Sequence, residues 1–259
     1  MVDALGFQEA ERLLREAEFA DCKQLWYSSN YVYLAQLTTA AGPPAKPPAK
    51  PAAGPAAHTF AAVYKPLRGE SPLWDFPEGH LYRHEAAAYE LAQLLRWPCV
   101  PPTVVRDGPE GIGSVQLFIP HDPEQHFFVQ RESPELLPQL QRMSVFDVIA
   151  NNADRKGGHC LLDESGQIWG IDHGLCFHPQ YKLRSVIWDW AGEAVPDEWL
   201  ADAQRAAEAV ACGADEATAL TSLLDEDEAG ALLRRTQTLL RERRYPMPGP
   251  NRHYPWPLV

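Results

Sequence analysis

Apolar positions return at helical intervals in four stretches of the chain. The strongest is 81–95 (LYRHEAAAYELAQLL), where Leu81, Ala88, Leu91, Leu94 and Leu95 line one side and the alanines favour helix. Pro98 predicts its end. Residues 7–17 set Leu13, Leu14 and Ala17 on one side, and 138–150 (PQLQRMSVFDVIA) reads as a buried helix. Residues 228–243 place Ala229, Leu232, Leu233, Thr236, Leu239 and Leu240 on a single face. Other stretches carry strand signals. Residues 25–37 (LWYSSNYVYLAQL) predict two strand pieces flanking S-S-N, and 59–66 (TFAAVYKP) predicts a strand closed by Pro66. Short strands are expected near 103–106 and 114–119. HCLLD and QIWGID predict a hairpin across the turn at 164–166.

Between the second and third strands lies the Pro/Ala segment 40–57, which has almost no large apolar side chain. It is expected to be a disordered or extended loop at a hairpin tip, or alternatively a polyproline ligand. The tail from Tyr245 is Pro-rich and expected to be extended. Strands with one helix, followed by helices around a small hairpin, predict an α+β chain of two unequal lobes. The boundaries are a β-rich lobe at 1–119 and a helical lobe at 120–259.

Composition narrows the function classes. With 45% hydrophobic and 22% charged residues the chain reads as globular. A formal charge of -12 disfavours generic binding to nucleic acid or to anionic membranes. The five cysteines form no C-x-x-C pair and suit reduced thiols. The N-terminus lacks the basic start and apolar run of a signal peptide, and no apolar stretch approaches membrane-spanning length. The expected location is cytoplasmic, without an integral membrane segment.

Candidate chemistry gathers in N-N-A-D-R-K-G-G-H (151–159) and I-D-H-G (171–174). An acid at the end of an apolar strand, as Asp172 is, costs free energy unless it holds a cation or caps a turn. Two acids joined by a short hairpin can converge, one holding a divalent metal and one orienting a hydroxyl. Simpler readings stand beside these. Asp154 and Arg155 would be a solvated pair, Lys65 an exposed strand end, and Glu85 a first-turn residue favoured by the helix dipole. His80 and His84 would lie on the surface, and Trp188 and Trp190 would be core or lobe-packing residues with Asp189 exposed or capping.

The ordered set Y-S-S-N-Y, A-V-Y-K-P, E-A-A-A-Y, G-S-V-Q-L-F-I, F-D-V-I-A-N-N-A-D-R and I-D-H-G-L-C-F resembles the phosphatidylinositol 3/4-kinase-like family. Within it the chain is similar to the type II phosphatidylinositol 4-kinases and their bacterial relatives. The resemblance runs from about Trp26 to Trp190 and implies a bilobal, atypical protein-kinase-like fold that uses ATP with Mg²⁺ or Mn²⁺. It implies that Ser28, Ser29 and Asn30 cover the phosphates, that Lys65 contacts the α- and β-phosphates, and that Glu85 braces Lys65. Gln116 to Ile119 would be the hinge, with backbone near Phe118 and Ile119 reading adenine. Asp154 would be the catalytic acid–base residue and Asp172 the main metal ligand.

Three departures qualify what the resemblance implies. His159 stands where relatives have a metal-binding Asn, implying Mn²⁺ preference, one-metal chemistry or loss of catalysis. P-L-R-G-E-S-P-L-W-D-F-P, after Lys65, lacks the cysteine-rich palmitoylation cassette. After Asp172 only Lys182 and Arg184 are basic, which is thin for an inositol lipid headgroup. The expected activity is transfer of the γ-phosphoryl group of ATP to a hydroxyl of a protein or soluble small molecule. The alternatives are a nucleotide-binding pseudokinase, AMP transfer, and phosphoinositide kinase activity.

Overall fold

The computed structural model describes residues 6–25, 30–39, 59–71, 76, 81–250 and 252–259. Ser28, Ser29, His80 and the Pro/Ala segment 40–57 lie outside the described residues. Contacts divide the chain into two compact units, one formed by Met1–Pro72 with Pro102–Phe118 and the other by Leu73–Pro101 with Ile119–Val259. The helix at 81–95, expected within the first lobe, therefore groups with the helical unit. The third and last crossing of the chain falls between Phe118 and Ile119.

The first unit is a five-stranded antiparallel sheet in the order β1-β2-β3-β5-β4. Its strands are β1 (Glu18–Leu25), β2 (Val32–Thr38), β3 (Thr59–Pro66), β4 (Thr103–Gly108) and β5 (Gly111–Leu117). β3 alternates buried and part-exposed positions, and Phe60, Ala62 and Tyr64 face the core. β1 begins well upstream of the expected strand piece. It is an edge strand with no buried residue, so E-F-A-D-C-K-Q-L carries no apolar run to announce it. Helix α1 (Phe7–Glu16) precedes it. Arg106 of β4 donates from Nη1 to the carbonyls of Leu14 and Ala17 at 2.7 and 2.8 Å, satisfying the end of α1 with a cation. Gly113 is required where β5 meets β3, because a Cβ there would sit 2.4 Å from the Lys65 carbonyl oxygen.

The second unit holds α2 (Leu81–Leu95), a short α3 (Phe127–Gln130), α4 (Leu137–Ala150), α5 (Asp197–Cys212), α6 (Thr218–Leu223) and α7 (Glu226–Glu242). A two-stranded hairpin, β6 (Cys160–Leu162) and β7 (Ile168–Gly170), sits among them. Leu91 and Leu95 of α2, Phe146 and Ile149 of α4, and Leu232 and Leu239 of α7 are buried. α7 opens with a reciprocal cap: Glu228 N–H donates to Asp225 Oδ1 and Asp225 N–H to Glu228 Oε2. α4 ends at Asn151, whose φ of 56° is left-handed, a conformation Asn tolerates. Among the described residues no helix is long and apolar enough to cross a membrane.

Asp163 holds the β6–β7 hairpin. Its Oδ1 accepts from the Ser165 and Gln167 N–H groups and the Ser165 hydroxyl, and its Oδ2 accepts from Trp169 Nε1 at 2.7 Å. Burial works against its charge, but the Ser165 and Trp169 hydrogen bonds win and hold its pKa below the ordinary 3.8. Asp163→Ala is expected to cost about 2 kcal/mol in urea denaturation near neutral pH. Because the folded pKa is depressed, this contribution is present above the ordinary aspartate value and lost as pH falls through the folded one. The wild-type advantage should therefore vanish in acid. An advantage that persists there would show that the carboxylate charge is not what holds the turn.

Candidate active site

The loop after α4 is organised by Arg155, whose side chain is fully buried. A guanidinium carries five N–H donors, and each has an acceptor. Nε and Nη2 donate to Asp147 Oδ2 and Oδ1 at 2.8 and 2.9 Å. Nη1 donates to the carbonyls of His159 and Ile171, both at 3.1 Å. The remaining Nη2 proton meets His173 Nε2 at 2.8 Å, so that nitrogen accepts. Burial opposes the charge on Arg155, but Asp147 overrides it and raises its pKa. The solvated Asp154–Arg155 pair expected from sequence does not form. Arg155 instead ties α4, the hairpin and the I-D-H-G turn together, and Asp154 faces Lys156.

Asn151 and Asn152 finish the loop from inside; both are buried rather than exposed. Asn152 donates to Asp147 Oδ1 and accepts from the Asp154 N–H. Asn151 donates to the His178 and Gln180 carbonyls and accepts from the Lys182 N–H. Asp154 is thus held by its backbone while its side chain, 22% exposed, meets Lys156 Nζ at 3.1 Å. Burial raises its pKa above the ordinary 3.8 despite Lys156, and the negative charge of Asp172 adds to the rise.

The hairpin register delivers the second acid. Cys160 pairs with Gly170, so His159 lies beside Ile171, whose N–H donates to the His159 carbonyl at 3.0 Å. One residue on, Asp172 turns back with φ 61°. A left-handed aspartate is uncommon and belongs to turns that aim a side chain. Its Oδ2 lies 3.3 Å from His159 Nε2, and its side chain is 47% exposed.

α2 is fastened to the same turn. Glu85, 3% exposed, lies in the second turn of the helix rather than at its dipole end, and its Oε2 accepts from the His173 N–H at 3.0 Å. His84, expected on the surface, is 1% exposed. Its Nδ1 donates to the Gly174 carbonyl at 3.0 Å, and its Nε2 is hydrogen-bonded with Glu228 Oε1 at 2.8 Å. Gly174 permits this approach, since a Cβ there would stand 3.3 Å from Leu81 Cβ. Asp189 is exposed, as expected, and the tryptophans on either side of it are half-buried.

The remaining predicted residues lie at the edge of the second unit or in the sheet unit. Lys65 is half-buried on β3 opposite Ser114 of β5. Asn30 Oδ1 accepts from the Ser71 N–H at 2.8 Å. The Gln116 side chain is committed to Thr103 Oγ1 at 2.9 Å. The Phe118 N–H donates to the Ala61 carbonyl, and the Ile119 carbonyl accepts from His121 Nδ1. Two polar backbone groups of the expected hinge are therefore engaged within the protein.

Sequence reading missed Arg155, Asp147, His84 and Glu228 as parts of the site's frame. The available signal was Asp147 itself, an acid inside the apolar run F-D-V-I-A that requires a buried cation. Among the described residues no three His, Cys, Asp or Glu side chains gather into a closed metal site. Asp172, near enough to Asp154 to raise the pKa of that residue and in contact with His159, instead fits a cation held by one or two carboxylates and completed by phosphate and water, the usual manner of Mg²⁺ in phosphotransferases.

Comparisons with known proteins bear on the family and the fold. Residues 103–212 match the family model of phosphatidylinositol 3- and 4-kinase. Protein Rv2133c of Mycobacterium tuberculosis is 42% identical, with 75% of this chain and 81% of that protein covered. Phosphatidylinositol 4-kinase gamma 4 of rice is 29% identical over 34% of this chain but only 17% of its own length. Among solved structures, the Golgi casein kinase with Mn/ADP bound superposes with a TM-score of 0.57 over 91% of this chain and 75% of that one, at 12% identity. Hydra Fam20 with sugar gives a TM-score of 0.52 over 91% of this chain and 87% of its own, at 13% identity. The fold is that of the atypical kinases, and the chain belongs to the phosphatidylinositol 3/4-kinase-like family.

Proposed function

We propose that this protein is an ATP-dependent phosphotransferase that moves the γ-phosphoryl group to a hydroxyl of a protein or a soluble small molecule. The observation that carries this reading is the pair of acids. Asp154 is fixed by Asn152 and raised in pKa in part by Asp172, while Asp172 is aimed outward from a left-handed turn beside His159. Asp172 would hold a divalent cation, Mg²⁺ or Mn²⁺, which when bound neutralises phosphate charge. Asp154 would orient the acceptor hydroxyl and take its proton. Lys65 would contact the nucleotide phosphates, with Ser28, Ser29 and Asn30 as the covering loop. The absence of a cysteine cassette and the scarcity of basic residues after Asp172 favour a non-lipid acceptor.

The test is incubation of purified protein with α- or γ-labelled ATP, Mg²⁺ or Mn²⁺, and cell extract as acceptor source, with Asp172→Asn as control. Label arriving from γ-ATP alone supports the proposal; label from α-ATP would replace it with nucleotide transfer. A second reading rests on the His159–Asp172 contact, since an imidazolium there would occupy the carboxylate in place of a metal. Bound ATP with no transfer from either label would favour that reading, a nucleotide-binding module.

The pKa of Asp154 sets the pH dependence. A base works when deprotonated, so the rate is expected to fall as pH drops through a value above the ordinary 3.8. Asp154→Asn should abolish that acid limb together with most of the rate. An unchanged limb in this variant would assign the proton transfer to another group.

A further inference from the structure

A pocket of about 320 Å³ opens along the C-terminal half of α7, within the helical unit and separate from the acids described above. Arg234, Arg235 and Arg244 line it, with Leu239 and Pro246 as apolar wall and Glu242 as its one carboxylate. Among the described residues none of these three arginines forms an ion pair, and Glu242 turns to Arg241 at 3.4 Å. Arg244 donates to the Gly192 carbonyl, and Arg235 donates to the carbonyls of Ile149 and His178. Arg235 Nη2 is buried with no acceptor among the described residues.

Three guanidiniums against one carboxylate already engaged elsewhere is an unusual concentration of positive charge in a chain of net charge -12. Carbonyl dipoles alone compensate a buried cation poorly, and an anion does so far better. Burial, reinforced by the charge of Arg234, pulls the pKa of Arg235 down to about 10, which is the signature of a cation lacking its counter-charge. The pocket is of the size that takes small organic ligands. A bare oxyanion would leave the Tyr181 ring, 58% exposed, and Pro246 facing water.

We propose that this pocket binds a small organic phosphate. Arg234 and Arg244, both exposed, would donate to its oxyanion; Arg235 would add its charge from the wall; and Tyr181 and Pro246 would cover its apolar body. The site is independent of the phosphotransferase reading and gives the protein a place for an effector or an anchoring group.

The experiment is calorimetric titration of the full chain with phenyl phosphate, phenol, inorganic phosphate and benzoate. It uses wild type, Arg234→Gln/Arg244→Gln and Asp172→Asn. Phenyl phosphate is expected to bind saturably. Affinity should drop about tenfold or more in the double arginine variant and stay unchanged in Asp172→Asn, which separates this pocket from the two acids. Phenol and inorganic phosphate, each supplying half of the ligand, should bind at least about tenfold more weakly. Absence of saturation up to about 10 mM phenyl phosphate, or equal affinity in the arginine variant, would overturn the site. Benzoate binding as tightly as phenyl phosphate would overturn the assignment to phosphates.

Discussion

Replacing Arg155 with Ala is expected to destabilise the protein by about 3–5 kcal/mol, enough to unfold a domain of ordinary stability. Arg155 and Asp147 are 0% and 1% exposed, so the substitution strands a carboxylate in the interior. It also removes the donors that serve the His159 and Ile171 carbonyls and His173 Nε2. Denaturant unfolding of Arg155→Ala, Asp147→Leu and the double variant Arg155→Met/Asp147→Leu distinguishes a structural anchor from an incidental ion pair. The double variant should recover a large part of the loss, because removing both charges together avoids the unpaired one. If Arg155→Ala cost less than about 1 kcal/mol, the account of Arg155 as the frame of the loop would fail.

The second large effect is chemical rather than structural. Asp172→Asn is expected to leave stability nearly unchanged, since the side chain is half-exposed and Asn tolerates the same left-handed turn. Transfer of the γ-phosphoryl group should nevertheless fall by about a thousandfold, because the group proposed to hold the cation would have lost its charge. Metal-dependent ATP binding should weaken in the same variant, whereas Asp154→Asn should lose turnover while retaining it. Transfer at the wild-type rate by Asp172→Asn would remove this residue from the reaction, whatever the fate of the fold. Arg155→Ala, by contrast, should lose activity only in proportion to unfolding and to displacement of the loop, so the pair of variants separates frame from chemistry.

Much of the architecture was legible in the chain. The helices at 81–95 and 138–150 and the strand at 59–66 come from period and composition, and they form within a residue of the expected bounds. The β6–β7 hairpin follows from two short apolar runs across a turn, and its register brings His159 beside Ile171, one residue before Asp172. β1 escaped because an exposed edge strand needs no alternation of apolar residues. Glu85 was singled out, yet its observed bond to the His173 N–H was not foreseeable, since nothing within a helix reveals which loop will lie against it.

The sequence by itself determined the periodic elements, the order in which they follow, and the short motifs that mark the family. These are local properties, set by propensity, turn chemistry and the spacing of apolar side chains. Only the tertiary structure decided the burial and partners of the polar residues. Arg155 and His84 carry no local mark that separates a solvated side chain from a core one. Each became a buried tie when α4 brought Asp147 to the first and α7 brought Glu228 to the second. The cost of burying a charge is settled by partners distant in sequence, and those are chosen only when the helices pack.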